Sequence, residues 1–274
     1  MIGLIAVAGV LGLLIGSFLN VVIHRVPDGQ SVVTPRSACP HCAAPIRWFD
    51  NIPVVSWLVL RGRCRDCGGP IAVRYPLVEL GTGAAFALVA WLLLPGVLGA
   101  SGALQTTGAA LALLAFLYLA AISIALALID IERHRLPNAL VLPAYLVGAV
   151  LLVPAALLLG EPGRLLTAGI GLLALGGFYL ALALFRPDGM GMGDVKLAGV
   201  LGLFLGWLDL APLVVGGFAA FLLGGVFGAV LLLVRRAGRR SRIPFGPWML
   251  LGAWLGVVAG EPAAAWYLSF VGLR

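Results

Sequence analysis

The sequence predicts an all-α polytopic membrane protein, with about eight transmembrane helices and a small zinc-ribbon-like cytoplasmic loop. Three observations carry that expectation. Of 274 residues, 62% are hydrophobic and 11% charged, against roughly 45 to 50% and about 25% in soluble domains. The apolar residues come in runs of about 20, the length a helix needs to cross a hydrocarbon core about 30 Å thick. The basic residues gather on one side of the crossings. A soluble globular protein is excluded. The 38 glycines would signal disorder in a polar chain, but in apolar runs they suit helices that pack through small residues.

The first apolar run, 3–23, has no basic residue before it and a strongly basic stretch after it. It is expected to be an uncleaved anchor inserted with its N-terminus outside, not a cleaved signal. The remaining spans are expected at 77–95, 108–129, 138–160, 165–185, 190–208, 211–234 and 246–270. Span 190–208 is the least regular, since Asp194 and Lys196 sit near its start. Its Ala198, Gly202 and Gly206, like Gly12 and Gly16 in the first span, recur at four-residue spacing and form a face for close helix contact.

Net charge is +7. With eight crossings, the loop from His24 to Tyr75 shares one side with Arg133 and Arg135, with Arg186 and Lys196, and with Arg235, Arg236, Arg239, Arg240 and Arg242; only Arg164 and Arg274 fall opposite. The positive-inside rule places that side in the cytoplasm and both termini outside. The charge is therefore a topology marker and not a nucleic-acid footprint.

All four cysteines lie in the 24–76 loop, as Cys39-Pro40-His41-Cys42 and Cys64-Arg65-Asp66-Cys67. Paired CxxC motifs at near zinc-ribbon spacing predict one closed, structural four-cysteine zinc site, with His41 outside the ligand set and Gly68-Gly69 forming a tight turn. Two disulfides are the alternative, disfavoured in a reducing compartment. No internal repeat is evident, and the loop is small enough to need such a staple.

Two aspartates stand at the cytoplasmic ends of spans. Asp130 follows Leu126-Ala127-Leu128-Ile129, and Asp194 lies in Gly191-Met192-Gly193-Asp194-Val195-Lys196. Two carboxylates held together share a proton, so that one activates water while the other protonates a peptide carbonyl, the chemistry of an aspartic protease. The glycines ahead of Asp194 leave room for another backbone. Equally open from the residues alone, Asp130 pairs with Arg133 or Arg135, and Asp194 is a helix N-terminal carboxylate favoured by the dipole. Glu132 and Asp188 are expected as solvated loop charges, and His134 has no assigned role.

Taken in order, Gly16-Ser17-Phe18-Leu19-Asn20-Val21-Val22-Ile23-His24-Arg25-Val26-Pro27, the two CxxC pairs, Arg74-Tyr75-Pro76-Leu77-Val78-Glu79-Leu80, the Asp130 segment through Leu136-Pro137-Asn138, Gly191-Met192-Gly193-Asp194-Val195-Lys196-Leu197 and Pro244-Phe245-Gly246-Pro247 resemble the type IV prepilin peptidases, membrane aspartic proteases of the GxGD type. The resemblance implies cleavage of the basic leader of prepilins and pseudopilins, with Asp130 and Asp194 as catalytic residues. It also implies methylation of the new N-terminus from S-adenosylmethionine, since Cys39, Cys42, Cys64 and Cys67 are all present. On this reading 1–23 is the first transmembrane helix, 24–76 the zinc-binding loop and 77–274 a seven-helix protease core in the bacterial inner membrane. Leu136 and Asn138 depart from the family's usual isoleucine and aspartate.

Gly16, Asn20 and Glu79 enter as methylation candidates through the motif match alone, and Asn20 and Glu79 equally suit polar contacts between helices. Phe245-Gly246-Pro247 suits either helix entry or substrate placement. No glycine-rich nucleotide loop follows a strand, so no residue is assigned to S-adenosylmethionine. A non-catalytic zinc-ribbon scaffold would not need both aspartates. A transporter would hold its acids nearer the bilayer midplane.

Overall fold

A computed structural model of the chain describes residues 1–185, 190–234 and 244–272. Arg186, Asp188, Arg235, Arg236, Arg239, Arg240, Arg242 and Arg274 lie outside the described residues. Among the described residues, eight long helices match the eight expected spans: α1 (Ile2–Arg25), α3 (Arg74–Leu98), α4 (Ala103–Arg133), α5 (Asn138–Leu159), α6 (Gly163–Phe185), α7 (Met192–Leu208), α8 (Leu210–Leu233) and α9 (Gly246–Phe270). A short helix, α2 (Val55–Val59), lies between α1 and α3. Among the described residues the only extended pairing is two isolated bridges, Ala38 with Pro45 and Arg63 with Pro70.

Most boundaries fall within three residues of expectation, but α4 begins five residues early, at Ala103. Its first turn is polar. Thr106 and Thr107 return their hydroxyls to the carbonyls of Gly102 and Ala103, at 3.0 and 2.8 Å, and Gln105 accepts from the Ser101 hydroxyl at 2.8 Å. Side chains that bond back to the helix extend it past the apolar stretch.

Seven of the helices are long and apolar enough to cross a membrane. The eighth, α7, has 17 residues and rises about 25 Å. It sits among α5, α6, α8 and α9, with Leu197, Ala198, Val200, Leu201, Phe204 and Leu205 fully buried. A helix apolar on every side belongs inside a bundle, and one walled by other helices need not match the lipid thickness. Arg164, one of the two basic residues off the main charged side, closes its far end: the guanidinium lies 4.6 Å from the Trp207 ring and donates to the Trp207 carbonyl at 3.4 Å. A cation there complements the helix dipole.

The chain forms two compact units. One comprises Met1–Ala100 with Phe116–Ala125, the other Ser101–Ala115 with Leu126–Arg274, so that α4 contributes to both. In the first, α1 packs on α3 through Gly12 and Gly16, where a Cβ would come within 2.6 Å of the Thr82 carbonyl and 2.7 Å of the Glu79 Cα. In the second, α6 and α7 meet backbone to backbone: a Cβ on Gly202 would lie 2.1 Å from the Gly171 carbonyl oxygen, and one on Gly171 2.2 Å from that of Gly202. The expected small-residue faces are therefore contact faces. Lipid tails are as apolar as leucine, so close van der Waals contact of this kind is what holds helices together in a bilayer.

Gly202→Ala should lower the thermal midpoint of the detergent-solubilised protein, since a methyl group against backbone costs roughly 1 to 3 kcal/mol. Gly177→Ala, with open space at its Cβ, should leave it unchanged or raise it, since alanine in a helix interior is favoured over glycine by about 0.5 to 1 kcal/mol. Equal midpoints for the two variants would contradict the packing.

Candidate active site and metal centre

In the first unit each CxxC pair forms the same small turn. The Cys39 N–H donates to the Ala44 carbonyl at 2.9 Å and the Ala43 N–H to the Cys39 carbonyl at 2.9 Å; the Cys64 N–H donates to Gly69 at 2.8 Å and the Gly68 N–H to Cys64 at 2.9 Å. One isolated bridge closes each turn. Both turns need a left-handed residue after the second cysteine, Ala43 at φ 58° and Gly68 at φ 69°. Only the second uses glycine, which costs nothing there. Residues 38–46 and 63–71 are thus a structural repeat with a shared Pro-Ile ending, Pro45-Ile46 and Pro70-Ile71. The alanine-for-glycine differences hid it from a reading of the sequence.

The turns bring the four sulfurs within 4.8 Å of one another, with Cys39 Sγ and Cys67 Sγ 3.8 Å apart. Ligands about 2.3 Å from a tetrahedral zinc stand roughly 3.8 Å from each other, so the donor set fits a metal. All four cysteines are free. The N–H groups of His41 and then Cys42 stabilise a thiolate at Cys39 and bring its pKa down to about 6. The Ala44 N–H pulls on Cys42 in the same sense, but desolvation and the neighbouring sulfurs outweigh it and push that thiol up to about 12. His41 lies against Gly69, where a Cβ would come 2.8 Å from its ring. Two arginines brace the second turn: Arg65 pairs with Asp50 at 2.7 Å and Arg47 with Asp66 at 2.9 Å.

The loop is tied to the helices by buried polar groups. The Glu79 carboxylate accepts the Val54 N–H at 2.7 Å and a hydrogen bond from Ser17. Asn20 donates to the carbonyls of Gly16 and Tyr75, joining α1 to α3. Its Oδ1 is buried without a partner.

In the second unit Asp130 occupies the last turn of α4 and Asp194 the first turn of α7. They lie close enough for their charges to interact. Asp130 is 5% exposed, and its Oδ2 accepts the backbone N–H of Gly246 at 3.0 Å. A Cβ on Gly246 would come 2.8 Å from that oxygen. Asp194 Oδ2 accepts the Gly191 N–H at 3.2 Å, so the helix N-terminal geometry expected for it is present as well. The space left by Gly193 is filled by the Leu136 side chain, 3.0 Å from where a Cβ would sit; a side chain, not a second backbone, makes that approach. Leu136 also extends toward Gly246, where a Cβ would come 3.4 Å from it, and so lies beside the approaches to both carboxylates. Glu132 is exposed, as expected, but stands in the last turn of α4 and not in a loop. Lys196 donates to Asn138 Oδ1 at 3.0 Å, and the Tyr145 hydroxyl donates to the Lys196 carbonyl at 2.6 Å, latching α5 to α7.

Residues 10–93 match the bacterial peptidase A24 N-terminal domain, and residues 117–233 match the type IV leader peptidase family. A prepilin leader peptidase/N-methyltransferase of Aeromonas hydrophila is 38% identical, over 94% of this chain and 91% of its own length. The chain belongs to the type IV leader peptidase family. Relatives of the same name from Stutzerimonas stutzeri and Pseudomonas aeruginosa are 37% and 35% identical, each over 96% of this chain and 93% of their own length. No solved structure matches the chain.

For this family member the sequence left Phe245-Gly246-Pro247 open between helix entry and substrate placement. The geometry shows a third use, an amide aimed at Asp130. Pro247 stands in the first turn of α9, where its missing N–H costs nothing, and the Phe245 ring anchors the turn 5.4 Å from Phe221 and 6.2 Å from Tyr179. Sequence reasoning singled out Gly246 within its motif but had no signal for the amide's role, because a backbone N–H leaves no trace in residue type. It also passed over Tyr179, a buried phenol close enough to Asp194 for the two to interact electrostatically, which reads as one more aromatic residue in a span.

In metal-stripped, reduced protein, ultraviolet thiolate absorbance should show a first step near pH 6 that Cys39→Ser removes. Because the Cys39 pKa lies below its ordinary value, the stability it lends the loop is present above pH 9 and lost as pH falls through about 6. Absence of any thiolate below pH 8 would contradict this.

Proposed function

We propose that the chain is a membrane aspartic endopeptidase that removes the short basic leader of type IV prepilins and pseudopilins and then methylates the new N-terminal amine. The observation that carries the peptidase reading is the pair of carboxylates at facing helix ends, each accepting one backbone amide. Asp130 and Asp194 act as the dyad and share one proton. The ionised member takes a proton from water as its oxygen attacks the scissile carbonyl carbon, and the protonated member gives its proton to the carbonyl oxygen. Collapse of the resulting diol breaks the C–N bond, with a proton passing to the leaving amine. The Gly246 and Gly191 amides fix the carboxylates on otherwise apolar helices, so their geometry is set before substrate arrives.

The site faces the cytoplasm, with both termini across the bacterial inner membrane. The side of the chain that carries most of its arginines supports this orientation. Cys39, Cys42, Cys64 and Cys67 hold one structural zinc, which supplies a cross-link to a loop too small for a core of its own. S-adenosylmethionine supplies the methyl group. Family membership supports that role for it, and no residue is assigned to hold it.

Asp130→Asn and Asp194→Asn, made separately, should each abolish prepilin cleavage while the protein still inserts; normal processing by either variant would end the dyad assignment. Gly246→Ala should cut turnover by roughly tenfold or more by displacing the Asp130 carboxylate. Metal analysis of the purified protein should give one zinc per chain. Cysteine-to-serine variants should lose methylation or stability before they lose cleavage, and wild-type methylation in all four would count against that role.

A further inference from the structure

A cavity of about 840 Å³ opens in the first unit between α1 and the loop that follows it. Its helical wall is the stripe Leu14, Phe18, Val21 and Arg25, spaced as one face of a helix. Leu14 and Phe18 are 54% and 50% exposed, so this face is open to lipid. From Leu14 to Arg25 the helix rises about 16 Å, close to one leaflet of a hydrocarbon core about 30 Å thick. The opposite wall comes from the loop and includes Val33, Ile46 and Trp48, the last 81% exposed, as an interfacial anchor would be.

Three guanidinium-bearing residues, Arg25, Arg36 and Arg47, line the cavity, and no aspartate or glutamate does. Arg25 donates to the carbonyls of Ser31 and Pro35 at 2.9 and 2.8 Å, which fixes its head without neutralising it. Arg47 shares its charge with Asp66, outside the cavity. The net field at the loop end is positive. A cationic ligand such as S-adenosylmethionine, with its sulfonium and ammonium groups against one carboxylate, or a basic leader peptide, would be repelled there. The volume lies in the range of pockets that enclose a whole small ligand, far more than one phosphate fills.

We propose that this cavity binds one anionic phospholipid, its phosphate among Arg25, Arg36 and Arg47 and an acyl chain along Leu14, Phe18 and Val21. The lipid fills the gap between α1 and the cysteine-bearing loop, so the loop is held against the bilayer by a bound molecule as well as by its own chain. This goes beyond the peptidase reading and does not depend on Asp130 or Asp194.

Native mass spectrometry of the full-length, delipidated protein in detergent tests the site, using phosphatidylglycerol, phosphatidylcholine with the same chains, and glycerol phosphate. One phosphatidylglycerol should bind in preference to phosphatidylcholine, and glycerol phosphate should not compete. Arg36→Gln, which leaves the ion pairs of the cysteine turns in place, should weaken phosphatidylglycerol binding by roughly fivefold. Val21→Trp, which fills the apolar end without altering charge, should weaken it too. Unchanged metal content and thermal midpoint would show that the variants fold. Equal binding of the two lipids, undiminished binding in folded variants, competition by glycerol phosphate, or S-adenosylmethionine crosslinking to Trp48 would each overturn the proposal.

Discussion

Helix contact through glycine is the constraint on which the second unit depends. Inside a bilayer there is no hydrophobic drive to bring one apolar helix against another, and what remains is close van der Waals contact and hydrogen bonding. At Gly171 and Gly202 the α6 and α7 backbones approach so nearly that either Cβ would fall within about 2.2 Å of the opposing carbonyl oxygen. That contact fixes α7 as a buried, short helix, and the first turn of α7 carries Asp194. The carboxylate's position therefore follows from packing along the helix below it.

Polar groups are sparse in the second unit, and several of them are spent at helix ends. Asp130 takes the Gly246 amide, Asp194 the Gly191 amide, Lys196 the Asn138 side chain and Arg164 the Trp207 carbonyl. Each bond satisfies a backbone or charged group that hydrocarbon would leave bare, and all but the Asp194 cap tie one element to another. Gly246 meets two demands, since its N–H must point at Asp130 and its Cα must leave room for the carboxylate. No other residue supplies the amide without the side chain.

The first unit solves a different problem. A loop of some fifty residues cannot bury enough apolar surface to hold itself, and its order comes from local devices. Two matching cysteine turns converge on one point, Arg65 and Arg47 bind Asp50 and Asp66, and Glu79 reaches out of α3 to the Val54 amide. The arginines of this loop thus divide by role. Arg65 braces the fold, Arg25 and Arg36 face the cavity, and Arg47 does both, lining the cavity while paired with Asp66.

By itself the sequence determined the helical membrane fold, the span order, the small-residue faces and the cysteine cluster. A bilayer demands long apolar runs and a metal demands paired thiols, and both demands are written in residue type and spacing. Asp130 and Asp194 were legible as charges standing where charges are costly. The repeat shared by the two cysteine turns was nearly legible, obscured by alanine in one and glycine in the other. Only the tertiary structure decided that Leu136 lies between Gly193 and Gly246, that Arg164 caps α7, and that an arginine-lined cavity opens beside α1. It alone brought the Gly246 amide to Asp130, 116 residues away in sequence. These depend on backbone groups and on distances between remote segments, and neither is encoded in the identity of any single residue.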